Sequence, residues 1–431
     1  WVIHGAGFLI KGPVISLVAG MALLVLWLWD RRDHDWMKSL AWWPGPLISV
    51  LMVLPWFIMI QIATQGTYVE GAVGKDLRDK LVTASEGHGG LPGYHLMHLP
   101  AWFFPGIILV LPAILLTWRY LRHRTLESLG DVDRDALKFL VAWSLTTWIF
   151  FELLLTKLSH YILPAYPAFG LLGGYAAMKL IGGARWPVSY WVSIALFALG
   201  AIILLAASFP GVTSNFMRET AGDFTTVSQV EVMAAWADYR DFPIWLWWGG
   251  FMLCGFALIE FARRRTALSI LFAIAASVAI GWHIRIFMLP SQVWVQPTET
   301  ARLALEEICG VPGEDCRSVM EGGRLVPPAR ILALGYAEPS YVLTLGTQNL
   351  HPPETPLDLP VGADAYPVVY LINFEDRKAE PPILEEVAHL RDQAGRMGLC
   401  VTESRSYYAL NYSNGDPVHF RAYRFDQGPC E

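Results

Sequence analysis

The chain is 431 residues long; 54% of the residues are hydrophobic, 16% are charged, and the mean hydropathy is positive. This composition is typical of a membrane protein. The net charge of -6 is small for this length, so charge gives no argument for nucleic acid as a partner.

The chain begins at Trp1 without a methionine or a signal-peptide pattern, and we therefore expect it to be a piece of a longer protein. Residues 1–10 resemble the end of an earlier span. A helix needs about 20 apolar residues to cross a bilayer. Eight segments meet this requirement and predict about eight transmembrane helices: 14–29, 40–62, 98–118, 137–155, 160–182, 188–208, 244–263 and 267–289.

Basic turns predict which side of the membrane each loop faces, because loops rich in Arg and Lys stay in the cytoplasm. When the eight spans alternate, the basic turns fall on one side: 30–38, 119–138, Arg185, and the triplet Arg263, Arg264 and Arg265. The opposite, periplasmic side then receives the loops 63–97 and 209–243, the link 156–160 and everything after Pro290. We predict a multi-pass protein of the bacterial inner (plasma) membrane with a membrane domain at 1–289.

A soluble domain is predicted at 290–431, where the composition changes. PPARILALGY and YPVVYLINF are typical of buried strands, and ILEEVAHLRDQAGRMG is typical of an amphipathic helix that ends at Gly398. RSYYALNYSNGDPVHFRAYRF predicts a hairpin that turns at Asn414 and Gly415. We therefore expect a small extracytoplasmic α/β domain after the α-helical membrane domain.

Four of the five cysteines lie in this domain: Cys309, Cys316, Cys400 and Cys430. An even number of cysteines in an oxidising compartment favours two disulfides, most simply between 309 and 316 and between 400 and 430. Free thiols and a zinc site are the alternatives, although zinc sites more often show paired C-x-x-C spacing.

A polar stretch, TKLSHYILPAYP at 156–167, separates two apolar runs. If the helix of the following span begins here, Lys157, His160 and Tyr161 lie on one face at i, i+3 and i+4. Lysine, histidine and tyrosine would together suit a phosphate whose lipid tail stays in the bilayer. On this stretch alone, a belt of interfacial residues is the simpler explanation, with the lysine reaching toward the headgroups; the polar loop 63–97 shifts the balance toward a binding site.

The predicted external loop 63–97 carries further polar residues. Its first part, GKDLRDKL, places Lys75, Arg78 and Lys80 in a mixed charge run, which is also typical of a solvated surface helix. Its second part contains Glu86 and His88 among glycines, and these two could contact a sugar or a metal. Two ligands fall short of a metal site, so a divalent metal stays open and no other cofactor is predicted.

Ionisable residues near the ends of the spans could line a cavity, because charged groups inside membrane helices are candidates for function. They are Lys11, Glu152, His283 and Arg285. Lys11 and Glu152 are the stronger candidates.

Several motifs together resemble the integral-membrane glycosyltransferases related to the aminoarabinose transferase of lipid A (ArnT-like) and to the protein O-mannosyltransferases. These motifs are LIKGP, GKDLRDKL, EGHGGLPGYHL, KLSHYILPAYP and NYSNG. The resemblance implies a GT-C type fold, catalysis on the extracytoplasmic side and a polyprenyl-phosphate-linked sugar as donor. It also implies a catalytic acidic residue in the first extracytoplasmic loop, which would lie before Trp1.

On this resemblance, we expect a glycosyltransferase that moves a hexosyl or pentosyl group to lipid A, a glycan or a protein. The residues that match donor-facing parts of the family are Lys157, His160 and Tyr161 in the KLSHYILP motif, and Lys75, Arg78 and Lys80 in the external loop. A lipid-linked sugar flippase or other transporter would use the same lipid-phosphate site, but the sequence shows none of the repeated halves that many transporters have. A membrane sensor without enzymatic activity is a third alternative.

Overall fold

The computed structural model describes residues 1–30, 34–69, 90–122, 131–186, 189–209, 212, 244–291, 296–309, 319–321, 324–326, 330–334, 358–360, 368–373, 380–410 and 417–428. The chain divides into two compact units. The first comprises Trp1–Phe209 and Pro243–His283, and the second comprises Pro210–Phe242 and Ile284–Glu431. The first unit ends at His283, and the predicted domain boundary lies a short distance further along the chain, after residue 289.

The first unit is helical. Its helices are α1 (Val2–Lys11), α2 (Val14–Trp29), α3 (Trp36–Leu40), α4 (Pro44–Ala63), α5 (Tyr94–Trp102), α6 (Ile107–Arg122), α7 (Asp131–Leu153), α8 (Tyr166–Ile181), α9 (Tyr190–Ala207), α10 (Ile244–Ala262) and α11 (Thr266–Trp282). Shorter elements of this unit are a turn at Thr67–Val69 and a 3₁₀ helix at Ser159–Ala165. A π-helical turn at His283–Met288 and a turn at Leu289–Ser291 continue the chain into the second unit.

Within the described residues, five helices are long and apolar enough to cross a membrane: Trp36–Ala63, Arg134–Leu153, Tyr190–Ala207, Ile244–Ala262 and Thr266–Met288. The bent pair α5 and α6 would add a sixth span, and α1 and α2 are shorter apolar helices. The polytopic helical architecture is therefore confirmed, whereas the number of eight spans is not.

The apolar outer surface of the first unit agrees with a membrane environment. Ile62 on α4 is 73% exposed and Met178 on α8 is 76% exposed. Helices satisfy their own backbone hydrogen bonds and can therefore present apolar side chains to lipid. In water, such surfaces would favour association.

The prediction of one continuous span at 98–118 is wrong. Helices α5 and α6 meet at an angle of 117° across the break that follows Trp102. Pro105 lies in this break, and a proline inside a helix removes one hydrogen bond and clashes with the preceding turn. The break keeps α5 as a separate short helix, and α5 carries part of the candidate site.

Close packing fixes the position of α5 against α9. Gly200 of α9 lies against the backbone of Pro100 in α5, where a Cβ atom would stand 2.1 Å from the carbonyl oxygen. The neighbouring rings of Phe104 and Phe197 stack with their centroids 4.9 Å apart. A glycine at this position therefore permits the two helices to approach.

In its described segments, the second unit has two further helices and seven strands: α12 (Pro297–Cys309), α13 (Glu380–Met397), β1 (Val319–Glu321), β2 (Arg324–Val326), β3 (Arg330–Leu334), β4 (Val368–Asn373), β5 (Leu399–Glu403), β6 (Tyr407–Leu410) and β7 (Pro417–Gln427). A five-stranded sheet has the order β3-β4-β7-β5, and β6 also pairs with β7. Strands β3 and β4 are parallel, and the other pairs are antiparallel. β1 and β2 form a separate antiparallel pair.

Both faces of the five-stranded sheet are covered. Successive side chains of a strand point to opposite faces. Val369 and Leu371 of β4 accordingly belong to the core that contains Ala304 of α12. Val368 and Tyr370 belong to the core that contains residues of α13. This arrangement confirms the small α/β domain that the sequence predicts.

The predicted elements of this domain are found near their expected positions. Helix α13 ends before Gly398, whose φ of +67° is the left-handed conformation that glycine favours at a helix end. The predicted hairpin is formed by β6 and β7, which pair Leu410 with Pro417, whereas its turn lies outside the described residues. Helix α12 and the pair β1–β2 were not predicted, because their segments are short and rich in charge.

Two of the four cysteines of this domain lie in described segments. Cys309 at the end of α12 and Cys400 in β5 are each disulfide-bonded. Cys316 and Cys430 lie outside the described residues, so the pairing stays a prediction. Cys254 in α10 is a buried free thiol.

We expect the denatured, unreduced protein to expose one reactive thiol, that of Cys254, because two disulfides would occupy the other four cysteines. Titration with a thiol reagent in denaturant measures this number. After reduction, all five cysteines of the chain should react. More than one reactive thiol before reduction would contradict the pairing of 309 with 316 and of 400 with 430.

Candidate functional site

The polar stretch after α7 is not part of a continuous helix. Helix α7 ends at Leu153, and Leu158 has an extended backbone with φ -118° and ψ 132°. A 3₁₀ helix follows, and α8 begins only at Tyr166, with Pro167 in its first turn. A proline is tolerated in the first turn of a helix, where an N–H would have no helical partner. If the helix began earlier, Pro167 would lie in the middle of the helix, where proline is unfavourable.

The predicted common face of Lys157, His160 and Tyr161 is therefore wrong. Lys157 is buried and 4% exposed, whereas His160 is exposed. The partly buried ring of Tyr161 packs against Phe151 of α7, with 5.5 Å between the ring centroids. Of the three, Lys157 is the most deeply buried.

The ammonium of Lys157 is held at the end of α7. Its Nζ donates a hydrogen bond to the backbone oxygen of Glu152 and lies 3.8 Å from the Oε1 atom of the same residue. The stem of the lysine packs on Gly90, where a Cβ atom would stand 2.6 Å from Cγ of Lys157. The glycine therefore leaves room for the lysine to lie inside the unit.

Glu152 connects α7 with the start of α5. Its Oε1 accepts a hydrogen bond of 2.8 Å from the backbone N–H of Gly93, and its Oε2 lies 3.1 Å from Nδ1 of His95. The other ring nitrogen of His95, Nε2, lies 3.1 Å from the backbone oxygen of Leu158. His95 is 1% exposed and thus bridges α7 and the segment that follows it.

We name the three ionisable residues Lys157, Glu152 and His95 the lysine cluster. The sequence pointed to Lys157 and Glu152 separately, but it did not connect them with His95. The sequence feature that could have pointed to His95 is its position in a mostly apolar helical segment, YHLMHLPAW. A buried ionisable group of this kind needs a hydrogen-bonded partner.

Other predicted site residues lie outside the described residues: Lys75, Arg78, Lys80, Glu86 and His88. Lys11 is exposed at the end of α1, and Arg285 is exposed in the π-helical turn. His283 is buried, with Nε2 3.1 Å from the backbone oxygen of Ser208. In the part of the chain that the structure describes, no group of three His, Cys, Asp or Glu side chains could hold a metal ion.

In the second unit, ionisable groups mostly pair on the surface of the sheet. Glu403 accepts hydrogen bonds from Arg391 and Arg421, the latter at 2.8 Å. Burial, together with the nearby charge of Arg421, lowers the pKa of His419 to about 4, and its ring stacks on Tyr408 at 4.5 Å. His419 is therefore neutral at pH 7 and supports the packing of the sheet.

Comparisons with known proteins point to one group of enzymes. No protein-family model matches the sequence. An uncharacterized protein of Aquifex aeolicus is 27% identical over 201 residues, which are 46% of this chain and 42% of that protein. An undecaprenyl phosphate-alpha-4-amino-4-deoxy-L-arabinose arabinosyl transferase of Pseudomonas paraeruginosa is 26% identical over 213 residues, 48% of this chain and 36% of that protein.

A transferase of the same name from Enterobacter is 25% identical over 208 residues, 48% of this chain and 35% of that protein. The matches thus span less than half the length of these relatives. Among solved structures, ArnT from Cupriavidus metallidurans bound to undecaprenyl phosphate superimposes with a TM-score of 0.58. It is 14% identical, and the match covers 98% of this chain and 68% of that chain.

The apo structure of the same ArnT gives a TM-score of 0.56 at 14% identity. The structural similarity extends over both units of the chain, whereas the sequence similarity covers about half of it. The chain therefore has the fold of ArnT and resembles the aminoarabinose transferases in sequence, which confirms the resemblance that its motifs predict.

Proposed function

We propose that this chain acts in the transfer of a sugar from a polyprenyl-phosphate donor to a lipid, glycan or protein acceptor at the periplasmic face of the inner membrane. The fold of ArnT and the sequence similarity to aminoarabinose transferases support this proposal. Those relatives are named for the undecaprenyl phosphate-linked sugar that they transfer.

The observation that carries the proposal is the buried ammonium of Lys157 at the end of an apolar helix. Ionisable groups in membrane helices are costly, so those that persist usually serve a function. A lysine that only anchors a helix at the membrane interface extends into the headgroup region. Lys157 is instead 4% exposed and contacts Gly90 and Glu152.

The chemistry expected is a displacement at the anomeric carbon of the donor sugar. The acceptor oxygen forms the new bond, the bond between the anomeric carbon and the phosphate oxygen breaks, and its electron pair stays on the departing polyprenyl phosphate. The acceptor proton passes to a general base. A positive charge beside the phosphate stabilises the negative charge that develops there, and we assign this role to Lys157.

Further contacts with the donor are proposed for the segment after Lys157 and for the loop 63–97. His160 and Tyr161 follow Lys157 on the same segment and could donate hydrogen bonds to the phosphate or sugar. Lys75, Arg78 and Lys80 would add positive charge from the loop 63–97. Glu86 and His88 would contact the sugar or a divalent metal.

Reconstitution of the full-length enzyme in liposomes with a labelled polyprenyl-phosphate sugar tests the function. We expect the label to appear on an added acceptor, because the chain has the fold of a sugar transferase. The flippase alternative predicts that the labelled lipid moves between leaflets and that no acceptor becomes labelled. Movement of the donor without transfer would overturn the proposed reaction.

The proposed orientation is tested by labelling single cysteines with a membrane-impermeant reagent in a cysteine-free background. A cysteine in place of Arg396, on the exposed side of α13, should react from the periplasm. A cysteine in place of Arg122, at the end of α6, should react only after the membrane is opened. The reverse pattern would contradict the orientation derived from the basic turns.

A further inference from the structure

His95 faces a hydrogen-bond acceptor on each side of its ring. The Nε2 atom lies 3.1 Å from the backbone oxygen of Leu158, and Nδ1 lies 3.1 Å from Oε2 of Glu152. A backbone oxygen only accepts hydrogen bonds, so Nε2 carries a proton. A second proton must lie between Nδ1 and Oε2, because two lone pairs would otherwise face each other.

The position of this second proton does not alter the charge of the pair. If it sits on the ring, a positive imidazolium faces a negative carboxylate. If it sits on the carboxyl group, both residues are neutral. In either case His95 and Glu152 together carry no net charge.

Lys157 adds one positive charge to this neutral pair. Its side chain is 3% exposed, and its ammonium lies 3.8 Å from Oε1 of Glu152, beyond the distance of a good hydrogen bond. Oε1 already accepts a hydrogen bond from the N–H of Gly93. In the described part of the chain, no second acidic side chain pairs with this ammonium.

We propose that His95 is a positioning residue. By sharing a proton with Glu152 it makes the pair neutral, so that the positive charge of Lys157 is available to bind the phosphate of the polyprenyl donor. A buried charge without a full partner is unfavourable, and an anion supplied by the substrate would complete the cluster. This inference rests on the proposed function and adds a role for His95, which would not contact the donor itself.

The proposal predicts how charge changes in the cluster affect lipid binding. His95→Gln removes the shared proton, so the carboxylate of Glu152 neutralises Lys157 and the cluster loses its positive charge. His95→Gln combined with Glu152→Gln removes both members of the neutral pair, so the positive charge returns. Glu152→Gln alone also keeps that charge, because His95 then needs only the proton on Nε2.

The experiment measures binding of undecaprenyl phosphate to the purified full chain in detergent micelles, with the unphosphorylated polyprenol as the uncharged control. We expect His95→Gln to weaken binding of the phosphorylated lipid about tenfold or more, as for loss of a charge-assisted hydrogen bond. The double variant should regain most of this loss. Binding of the polyprenol should be the same in all variants.

A purely structural role of His95 predicts a different pattern. The double variant would then bind no better than His95→Gln, and this result would overturn the inference. If His95→Gln does not fold, Glu152→Gln and Lys157→Gln carry the test. Lys157→Gln should weaken lipid binding more than Glu152→Gln does, and equal losses would also overturn the inference.

Two further results separate the inference from the function on which it rests. If the wild-type chain binds the lipid but His95→Gln binds it equally well, the role of His95 is wrong and the proposed function stands. If the wild-type chain does not bind the lipid and the full-length enzyme does not transfer sugar, the proposed function itself is wrong. Inorganic phosphate should not displace the lipid at matched concentration, and binding of both with equal affinity would overturn the assignment to a lipid phosphate.

Discussion

In the full-length enzyme, Lys157→Ala is expected to lower sugar transfer by roughly ten- to a hundredfold. The reason is the loss of a charge-assisted hydrogen bond to the donor phosphate, which contributes about 1.5–3 kcal/mol. The charge matters most when the phosphate departs, so the effect should appear in kcat as well as in KM. The measurement is transfer from a defined polyprenyl-phosphate sugar, normalised to the amount of folded protein in the membrane.

Two matched variants separate charge from other effects. Lys157→Arg keeps the positive charge but changes the geometry, so it should recover part of the transfer. Lys38→Ala removes an exposed lysine that pairs with Asp35 on the surface, and it should leave transfer unchanged. If Lys157→Ala transfers sugar at the wild-type rate, Lys157 does not bind the phosphate, and the stretch TKLSHYILPAYP is an interfacial belt.

Hydropathy predicted the helices of the first unit well, because the number of apolar residues needed to cross a bilayer is set by the thickness of the bilayer. It could not predict the break between Trp102 and Ile107. Prolines are tolerated inside membrane helices when neighbouring groups satisfy the freed backbone, as at Pro55 and Pro112. Whether a given proline breaks the helix is decided by the packing around it.

The candidate site was predicted in part, for a related reason. Lys157 and Glu152 stand out because charged residues are rare next to apolar runs. The link from Glu152 to His95 depends on a contact between residues 57 positions apart, which hydropathy and local periodicity do not contain. The helical pattern at 157–161 was misread because i, i+3 and i+4 spacing indicates a common face only if the segment is helical.

In the second unit, continuous apolar runs predicted β3 and β4, and both faces of β4 are indeed buried. The amphipathic pattern likewise predicted α13, and Gly398 marked its end. Short charged segments such as α12 give a weaker signal. Their structure depends on contacts with the sheet, where Ala301 and Ala304 pack against β4 and β7.

Gly200→Ala is expected to destabilise the first unit by about 3 kcal/mol, at the upper end of the usual cost of overpacking. The added Cβ would stand 2.1 Å from the backbone oxygen of Pro100 and 2.8 Å from its carbonyl carbon. Backbone atoms cannot rotate away as a side chain can, so α5 must move away from α9. Because α5 also carries His95, this movement should disturb the hydrogen bonds of His95 to Glu152 and to the backbone of Leu158.

The apparent melting temperature of the full chain in detergent, followed by tryptophan fluorescence, measures the destabilisation, and sugar transfer below that temperature measures the effect on the site. The matched control is Gly255→Ala in α10, where an added Cβ would meet no atom within 4 Å. Alanine favours a helix over glycine by up to about 1 kcal/mol, so this control should be neutral or slightly stabilising. Equal melting temperatures for the two variants would contradict the close approach of α5 and α9. A lower melting temperature for Gly200→Ala with unchanged transfer would show instead that the lysine cluster does not depend on the position of α5.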